Sequence, residues 1–454
     1  VSHIRHLSDF GRRKISCLPN AGLPENIDGR AHFPLTPGEL ARALKQFVVD
    51  YGVNIVGGCC GTTFEHVRQV AQAVQGLSPK ARQITYEPSV SSLYQAQVLK
   101  QNPGPLIVGE RTNTTGSRKF KKLLEADDIE GMAAMAREQQ DEGAHLLDVC
   151  VAYPGRDEVA DMTKVLRRFN EAVRLPIVID STEWQVMAEG LKYITGKPFI
   201  NSINLEEGRD KLDIVVPLAK KYGAALVALT IDETGQATTC DWKFNVAKRI
   251  YDICVNEYGI EPTDLYFDPL TLPVSTGQTE LFNAAVETLN SVKRIKAELP
   301  GAGTWLGLSN ISFGLDPYVR QVVNSVFLKL ALDVGMDAAI LNASKILPLN
   351  EIDPEGRRLA ERLLLNQREE GDPLQQLIAH YQSFGGEKKT STRKTVDLGN
   401  TIEERLMNAI IMGRRDTLVE DLEKARQSYT PLDIINTLLL DGMKVVGELF
   451  GSGQ

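Results

Sequence analysis

Leu106-Ile107-Val108-Gly109-Glu110-Arg111-Thr112-Asn113 is a short apolar run that stops abruptly on carboxylate and amide side chains. The pattern recurs at Leu146 to Cys150, Ile177 to Ser181, Phe199 to Asn204, Ala225 to Ile231, Leu265 to Asp268, Thr304 to Ser309 and Ala338 to Asn342. Between these runs the apolar residues take helical spacing. Short apolar runs bounded by turn residues read as buried strands, and strands separated by helices favour parallel pairing with crossovers. Eight such runs are the count for an α/β (β/α)8 TIM barrel, expected between about Pro103 and Pro348. A doubly wound open sheet is the alternative that counting strands leaves open.

In a parallel barrel the carboxyl ends of all strands share one face, which is where such barrels place their sites. The runs here finish on Glu110 with Asn113, Asp148, Asp180, Asn201 with Asn204, Asp232, Asp268, Ser309 with Asn310, and Asn342. A single polar residue at a strand end is more often a loop or helix cap, and Asp232 and Asn204 are read that way. Eight polar ends out of eight imply a ring of hydrogen-bonding groups. Carboxylates and amides with hardly a cation among them suit a neutral heterocycle bearing several N–H donors and ring acceptors, such as a pterin. A phosphorylated substrate would require cations or a glycine-rich cradle at the last strands, and neither is present in the sequence there.

Composition bounds the remaining choices. The chain has 454 residues, 43% hydrophobic and 24% charged, with a net charge of −8 and no long basic run. These values fit about three globular domains, argue against nucleic acid as a partner, and require no membrane. Six cysteines, of which Cys59 and Cys60 are adjacent, do not make a disulfide framework and fit a reducing compartment, so a cytoplasmic location is expected. The chain opens in a helix-like pattern and closes just after a long apolar one, which suggests an internal piece of a longer protein.

The run Val108-Gly109-Glu110-Arg111-Thr112-Asn113 with Thr115-Gly116-Ser117, together with Ile179-Asp180-Ser181, Asn201-Ser202-Ile203-Asn204 and Phe267-Asp268-Pro269-Leu270, resembles the pterin-binding barrel of the cobalamin-dependent methionine synthase family. The resemblance covers about Gln101 to Gln375. It implies that Asp148, Asp180, Asn201 and Asp268 hold the pterin ring, with Glu110, Asn113, Ser309 and Asn310 lining the same pocket. It further implies that the barrel presents 5-methyltetrahydrofolate to a cob(I)alamin nucleophile. N5 must then gain a proton by the transition state, because a neutral amine leaves more readily than an amide anion. Asn201 is assigned the bond to N5 and Asp180 the orientation of the ring edge, as the two catalytic residues.

Ile55-Val56-Gly57-Gly58-Cys59-Cys60-Gly61-Thr62-Thr63 looks like the last strand end of the same family's homocysteine-binding barrel, where paired cysteines ligate zinc. Two adjacent thiols on a glycine-flanked turn can point at one ion. The family's third cysteine ligand belongs to an earlier strand with no counterpart here. Cys17, within the strand candidate Lys14 to Leu18, reads as core, so zinc in this chain is doubtful. His66 reads as a residue on a solvated helix, and Cys150, Cys240 and Cys254 as structural. Two β/α units, with a helix from Thr36 to about Asp50 and a strand at Val53 to Val56, suit the tail of a larger barrel.

After a polar linker, Gly385 to Leu398, Thr401 with Glu404 forms a capping-box pattern ahead of Ile402, Leu406 and Ile410. A second helix is expected from about Asp416 to Ser428, and Thr430-Pro431 opens a third. Gly442-Met443-Lys444-Val445-Val446-Gly447 and Leu449-Phe450-Gly451 resemble the start of the family's helical cobalamin cap. The Asp-x-His-x-x-Gly loop that supplies the lower cobalt ligand is missing, so the main cobalamin module is expected elsewhere in the parent chain, with the remaining homocysteine and reactivation modules.

The expected domains are therefore 1–75, the end of a homocysteine and zinc barrel; 76–102, a linker; 103–375, the pterin barrel; 376–399, a linker; and 400–454, part of a cobalamin cap. The expected function is a monomeric methyltransferase piece that binds folate, within a parent that methylates homocysteine to methionine. Its rivals are a folate-carrying scaffold without catalysis and another pterin barrel such as dihydropteroate synthase. The latter needs cations near the seventh strand, whose run Leu308-Ser309-Asn310-Ile311-Ser312-Phe313-Gly314 has none.

Overall fold

The computed structural model describes residues 1–384, 401–411 and 417–451. The chain divides into two compact units, residues 1–91 with 96–100, and residues 92–95 with 101–454.

In the second unit eight strands close a parallel barrel: β1 (Leu106–Gly109), β2 (Leu146–Val149), β3 (Ile177–Asp180), β4 (Phe199–Ile203), β5 (Ala225–Leu229), β6 (Leu265–Asp268), β7 (Gly303–Gly307) and β8 (Ala338–Leu341). The open-sheet alternative is excluded because β8 pairs back to β1, Ala338 opposite Leu106 and Leu341 opposite Gly109. Side chains alternate across each strand. Leu147, Val149, Ile177, Ile179, Ile200, Leu265 and Phe267 point out into the layer of helices. Inward positions then place Leu146, Val178, Phe199 and Tyr266 two residues below Asp148, Asp180, Asn201 and Asp268. Phe199, Tyr266 and Trp305 fill the bore with ring centroids 5.2–6.3 Å apart. The polar ring therefore sits on a packed apolar plug.

Helix Pro373–Phe384 carries the fold past residue 375, into the segment read as linker. Its Leu377 is buried, and its Gln376 and Tyr381 bond Arg362 and Asp353 of the neighbouring helix and its cap. The remainder of that linker, 385–399, lies outside the described residues. Beyond it, Thr401 and Glu404 make the reciprocal cap expected of helix Ile402–Ile411. Helix Leu418–Ala425 and the segment from Pro431 to Gly451 follow. Leu406, Ala425 and Ile434 form a small core there, and Arg405 grips buried Asp421 with two bonds of 2.9 Å.

In the first unit two-residue strands, Ser16–Cys17 and Ile55–Val56, pair in parallel. Helix Pro37–Tyr51, capped by Thr36 and Glu39, contributes Leu40 and Leu44 to a core with Val70 of helix Phe64–Val74. There are two hairpins, Glu25–Ile27 with Arg30–His32 and Ser89–Ser91 with Ala96–Val98, the second inside the stretch read as linker. Their strands are three residues long, too short for periodicity to register. His66 corrects the expectation of a solvated side chain. It is buried, its Nδ1 accepts from the Thr63 N–H at 3.2 Å, and its Nε2 lies 2.9 Å from the Leu35 carbonyl. It stands at the helix position where a capping glutamate would otherwise fold back.

Candidate functional site

The pairing of β1 with β2 continues above the strands. The Cys150 N–H donates to Thr112 O at 3.1 Å, the Thr114 N–H to Cys150 O at 3.0 Å, and the Thr112 hydroxyl to Asp148 O at 2.6 Å. Gly109 makes room for this turn. A Cβ there would stand 2.6 Å from Gln139 Oε1, the atom that accepts the Arg111 N–H at 2.8 Å.

The turn carries Asn113 over the end of β2, where its amide nitrogen donates to Asp148 Oδ2 and Asp180 Oδ2, both at 2.8 Å. Its carbonyl oxygen accepts from the Thr115 N–H at 2.9 Å and the Thr115 hydroxyl at 2.6 Å. Asn113 is thus locked at both ends, its NH2 group supplying the two donors that the bridge between the carboxyl groups needs. Asn201 approaches the same cluster, its amide nitrogen 3.4 Å from Asp148 Oδ1. A register slip between Asn201 and Ile203 makes a bulge at this strand end, a device that re-aims side chains next to sites.

Burial pushes the Asp148 carboxyl up to about 6, against the opposing effect of the Asn113 and Asn201 amides. Asp180 is held well above the ordinary carboxylate range, first by burial and then by the charge of Asp148. The two carboxyl groups share the Asn113 amide, and both are held above the ordinary carboxylate range. Two carboxyl groups this close cannot both ionise cheaply.

Across the face, Ser309 donates to Glu110 Oε2 at 2.8 Å. Burial raises the Glu110 carboxyl, opposed by Ser309 and by the charges of Arg320 and Arg111. The seventh-strand run lacks a cation of its own, but Arg320 reaches it from helix Pro317–Asp333 and spends donors on Ser309 O at 3.0 Å and Ser312 Oγ at 3.2 Å. At the end of β6, Asp268 Oδ1 accepts the Leu270 N–H at 2.8 Å, and burial pushes this carboxyl up to about 6.

Sequence reading missed Lys243, which is completely buried and donates to Leu270 O at 3.0 Å and Thr288 Oγ1 at 2.8 Å. The signal was present. Lys243 lies three, four and seven residues before Val246, Ala247 and Ile250, on the apolar stripe of helix Cys240–Tyr251. Asn310 is exposed. Asn204, Asp232 and Asn342 cap local turns, through the N–H groups of Glu206, Thr234 and Ser344. For Asn204 and Asp232 this is the capping role the sequence suggested.

Two buried carboxyl groups raised to about 6, a third held well above its ordinary range and amides that donate or accept thus meet on one face. That face can bind a planar ligand with several N–H groups and can offer it a proton. Cys150 and Cys254 are buried thiols pushed up to about 12, first by burial, and do not belong to it.

In the first unit, backbone bonds from the Cys59 N–H to Pro19 O and from the Ala21 N–H to Cys60 O shape the loop that carries both thiols. The sulfurs are exposed and 3.9 Å apart. Gly61, at φ +77°, leaves space that the Phe33 ring occupies. Among the described residues no group of three His, Cys, Asp or Glu side chains gathers to hold a metal. A zinc site needs three protein ligands and an open position, or four. The two thiols alone do not fit that requirement.

A closed parallel barrel with this acceptor-rich carboxyl face defines a TIM-type ligand-binding barrel. The chain belongs to the pterin binding enzyme family, whose model matches residues 109–342. Models for homocysteine S-methyltransferase and for a B12 binding domain match residues 1–74 and 402–454. The chain is 44% identical over 456 residues to the methionine synthase of Mycobacterium tuberculosis (strain ATCC 25618 / H37Rv), covering 100% of this chain and 38% of that protein. It is 45% identical over 461 residues to the methionine synthase of Mycobacterium leprae (strain TN), with the same coverage. It thus spans well under half the length of these relatives. Among solved structures, a dihydropteroate synthase from Xanthomonas albilineans aligns at 18% identity and TM-score 0.43, over 57% of this chain and 94% of that one. No helix among the described residues is long and apolar enough to cross a membrane.

Proposed function

We propose that this chain binds 5-methyltetrahydrofolate at the carboxyl face of its barrel and holds the N5-methyl group for transfer to cobalamin, as part of a methionine synthase that methylates homocysteine. The observation that carries the reading is Asn113 bridging Asp148 and Asp180 at 2.8 Å each, with Asp268 as a further buried acceptor on the same ring. Above pH 6 Asp148 and Asp268 accept N–H groups of the pterin edge, a charge-assisted contact. Asp180, whose carboxyl burial holds well above the ordinary range, orients the ring and is the group able to support protonation at N5. Asn201 bonds N5. General-acid assistance of this kind is worth ~10²–10⁴-fold.

The helices from residue 402 onward support part of a cobalamin-binding element, and the cofactor, when bound, supplies the nucleophile that accepts the methyl group. The greater length of the relatives supports a parent whose remaining homocysteine, cobalamin and reactivation modules lie outside this chain. No zinc-dependent step is assigned to Cys59 and Cys60 here.

Calorimetric titration with 5-methyltetrahydrofolate, beside Asn201→Ala and Asp180→Ala, tests the proposal. One-to-one binding that weakens in both variants supports it, and a folded chain that binds no folate refutes it. Demethylation of bound folate by added cob(I)alamin then separates an enzyme from a carrier.

A further inference from the structure

We propose that Lys243 is a positioning residue for the pterin site, acting through Leu270 to keep Asp268 aimed and ionised as an acceptor; this inference rests on the pterin reading. The Lys243 ammonium donates to Leu270 O at 3.0 Å and to Thr288 Oγ1 at 2.8 Å, and the Thr288 hydroxyl itself donates to Leu270 O at 2.9 Å. One carbonyl is thus pinned from two sides. Leu270 occupies the left-handed region, φ +59°, where a branched side chain is uncommon. That conformation turns its N–H back onto Asp268 Oδ1 at 2.8 Å. The pinned carbonyl and the bonded N–H belong to one residue, so Lys243 sets the turn that orients Asp268.

Geometry alone would not require a lysine. A carbonyl and a hydroxyl could be held by a neutral donor, whereas an ammonium with no exposed surface is costly to bury unless an anion faces it. The charged and titratable groups that face Lys243 are Asp268 at the end of β6, Glu287 on helix Ala284–Glu298, and Cys240 on its own helix. Glu287 already accepts the Cys240 N–H. Among the described residues Asp268 makes no ion pair, and its Oδ1 accepts the Leu270 N–H at 2.8 Å. The buried cation therefore favours the ionised form of Asp268, opposing the burial that favours the acid. An ionised carboxylate accepts two N–H bonds, whereas the acid presents a donor to the same edge.

The test is calorimetric binding of 5-methyltetrahydrofolate between pH 5.5 and 8.5 to the wild-type chain and to Lys243→Met, Thr288→Val, Asp268→Asn and the Lys243→Met/Asp268→Asn double variant, each checked for folding by circular dichroism. Lys243→Met is expected to weaken binding at pH 7 by about twofold if the acid limb moves up one unit from 6 and by about tenfold if it moves up two, with recovery toward pH 8.5. Thr288→Val should move it less, in the same direction. In the Asp268→Asn background Lys243→Met should have little further effect, because the two act as one unit. Equal weakening by Lys243→Met at every pH, or an undiminished effect in the Asp268→Asn background, overturns the assignment while the folate reading stands. A folded wild-type chain that binds no folate overturns both.

Discussion

Asp148→Asn separates what the polar ring costs the fold from what it gives the ligand. Asp148 is 1% exposed, and its carboxyl is pushed from 3.8 to about 6. Between those values the folded chain binds more protons than the unfolded one, so the stability contribution of this group is full below pH 4 and is lost as pH rises through 6. Above pH 7 the loss amounts to about 3 kcal/mol. An asparagine carries no charge to desolvate. Its carbonyl can keep the Asn113 bond at 2.8 Å, and its amide would face Asn201, whose present contact of 3.4 Å is the weaker of the two. The variant should therefore be more stable than wild type by ~1–3 kcal/mol at pH 8, with the gap closing by pH 4. Folate binding should weaken by ~10–100-fold, the loss of one charge-assisted acceptor. Urea unfolding followed by tryptophan fluorescence reports this directly, since Trp184, Trp242 and Trp305 all lie in the barrel region. A variant less stable than wild type by the same amount at every pH would refute the electrostatic argument. Unchanged folate affinity would remove Asp148 from the site.

Other outcomes follow from the same geometry. Folate affinity of the wild-type chain should be constant above pH 7 and fall as pH drops through 6, where Asp148 and Asp268 take up protons, by up to about tenfold per unit for each group; calorimetry across pH 5–8 measures it. Gly109→Ala should cost ~1–3 kcal/mol in urea unfolding and weaken folate binding, because the new methyl displaces Gln139 from the turn that carries Glu110 and Asn113. Arg405→Met should destabilise the 401–451 helices by ~3 kcal/mol, seen as an earlier loss of far-ultraviolet ellipticity, since Asp421 is buried beneath it. Burial alone would raise the Asp421 carboxyl, but the bonds from Arg405 and Thr417 outweigh it and hold it low. That contribution is present above the unfolded value of 3.8 and is lost as pH falls through the folded one.

The barrel was legible because each strand announces itself twice, by an apolar run and by the polar residue that ends it. Strand ends fell within about two residues of the runs, as at Leu106–Gly109 and Leu265–Asp268. Closure itself was not legible, since hydrogen bonding between the last strand and the first leaves no local trace. The capping of Thr401 and Thr430 could be read because it is a contact across three residues. The contact of His66 with Leu35 spans 31 residues and could not be. Asn113 was visible as a polar end, whereas its bridge between carboxyl groups 35 and 67 residues away exists only once the barrel closes. Arg320 and Lys243 were overlooked for a different reason. Both come from helices to serve a strand end, and a reading confined to strand ends does not look there.

The site's chemistry follows from where its positive charge is kept. Three of the cations near the face, Lys243, Arg320 and Arg111, donate to protein oxygens at Leu270, Thr288, Ser309, Ser312 and Glu142 and bias the carboxyl groups from behind. An anion arriving at the face would meet Glu110, Asp148 and Asp268 first and pay for desolvation against like charge. A neutral ring with an N–H edge meets acceptors already turned toward it by Asn113 and Leu270, with the ordering cost met during folding. On the proposed reading, selection against phosphorylated ligands and preorganisation for a pterin follow from one arrangement. The same arrangement withholds stability at neutral pH, which is why removing Asp148 should strengthen the fold as it empties the site.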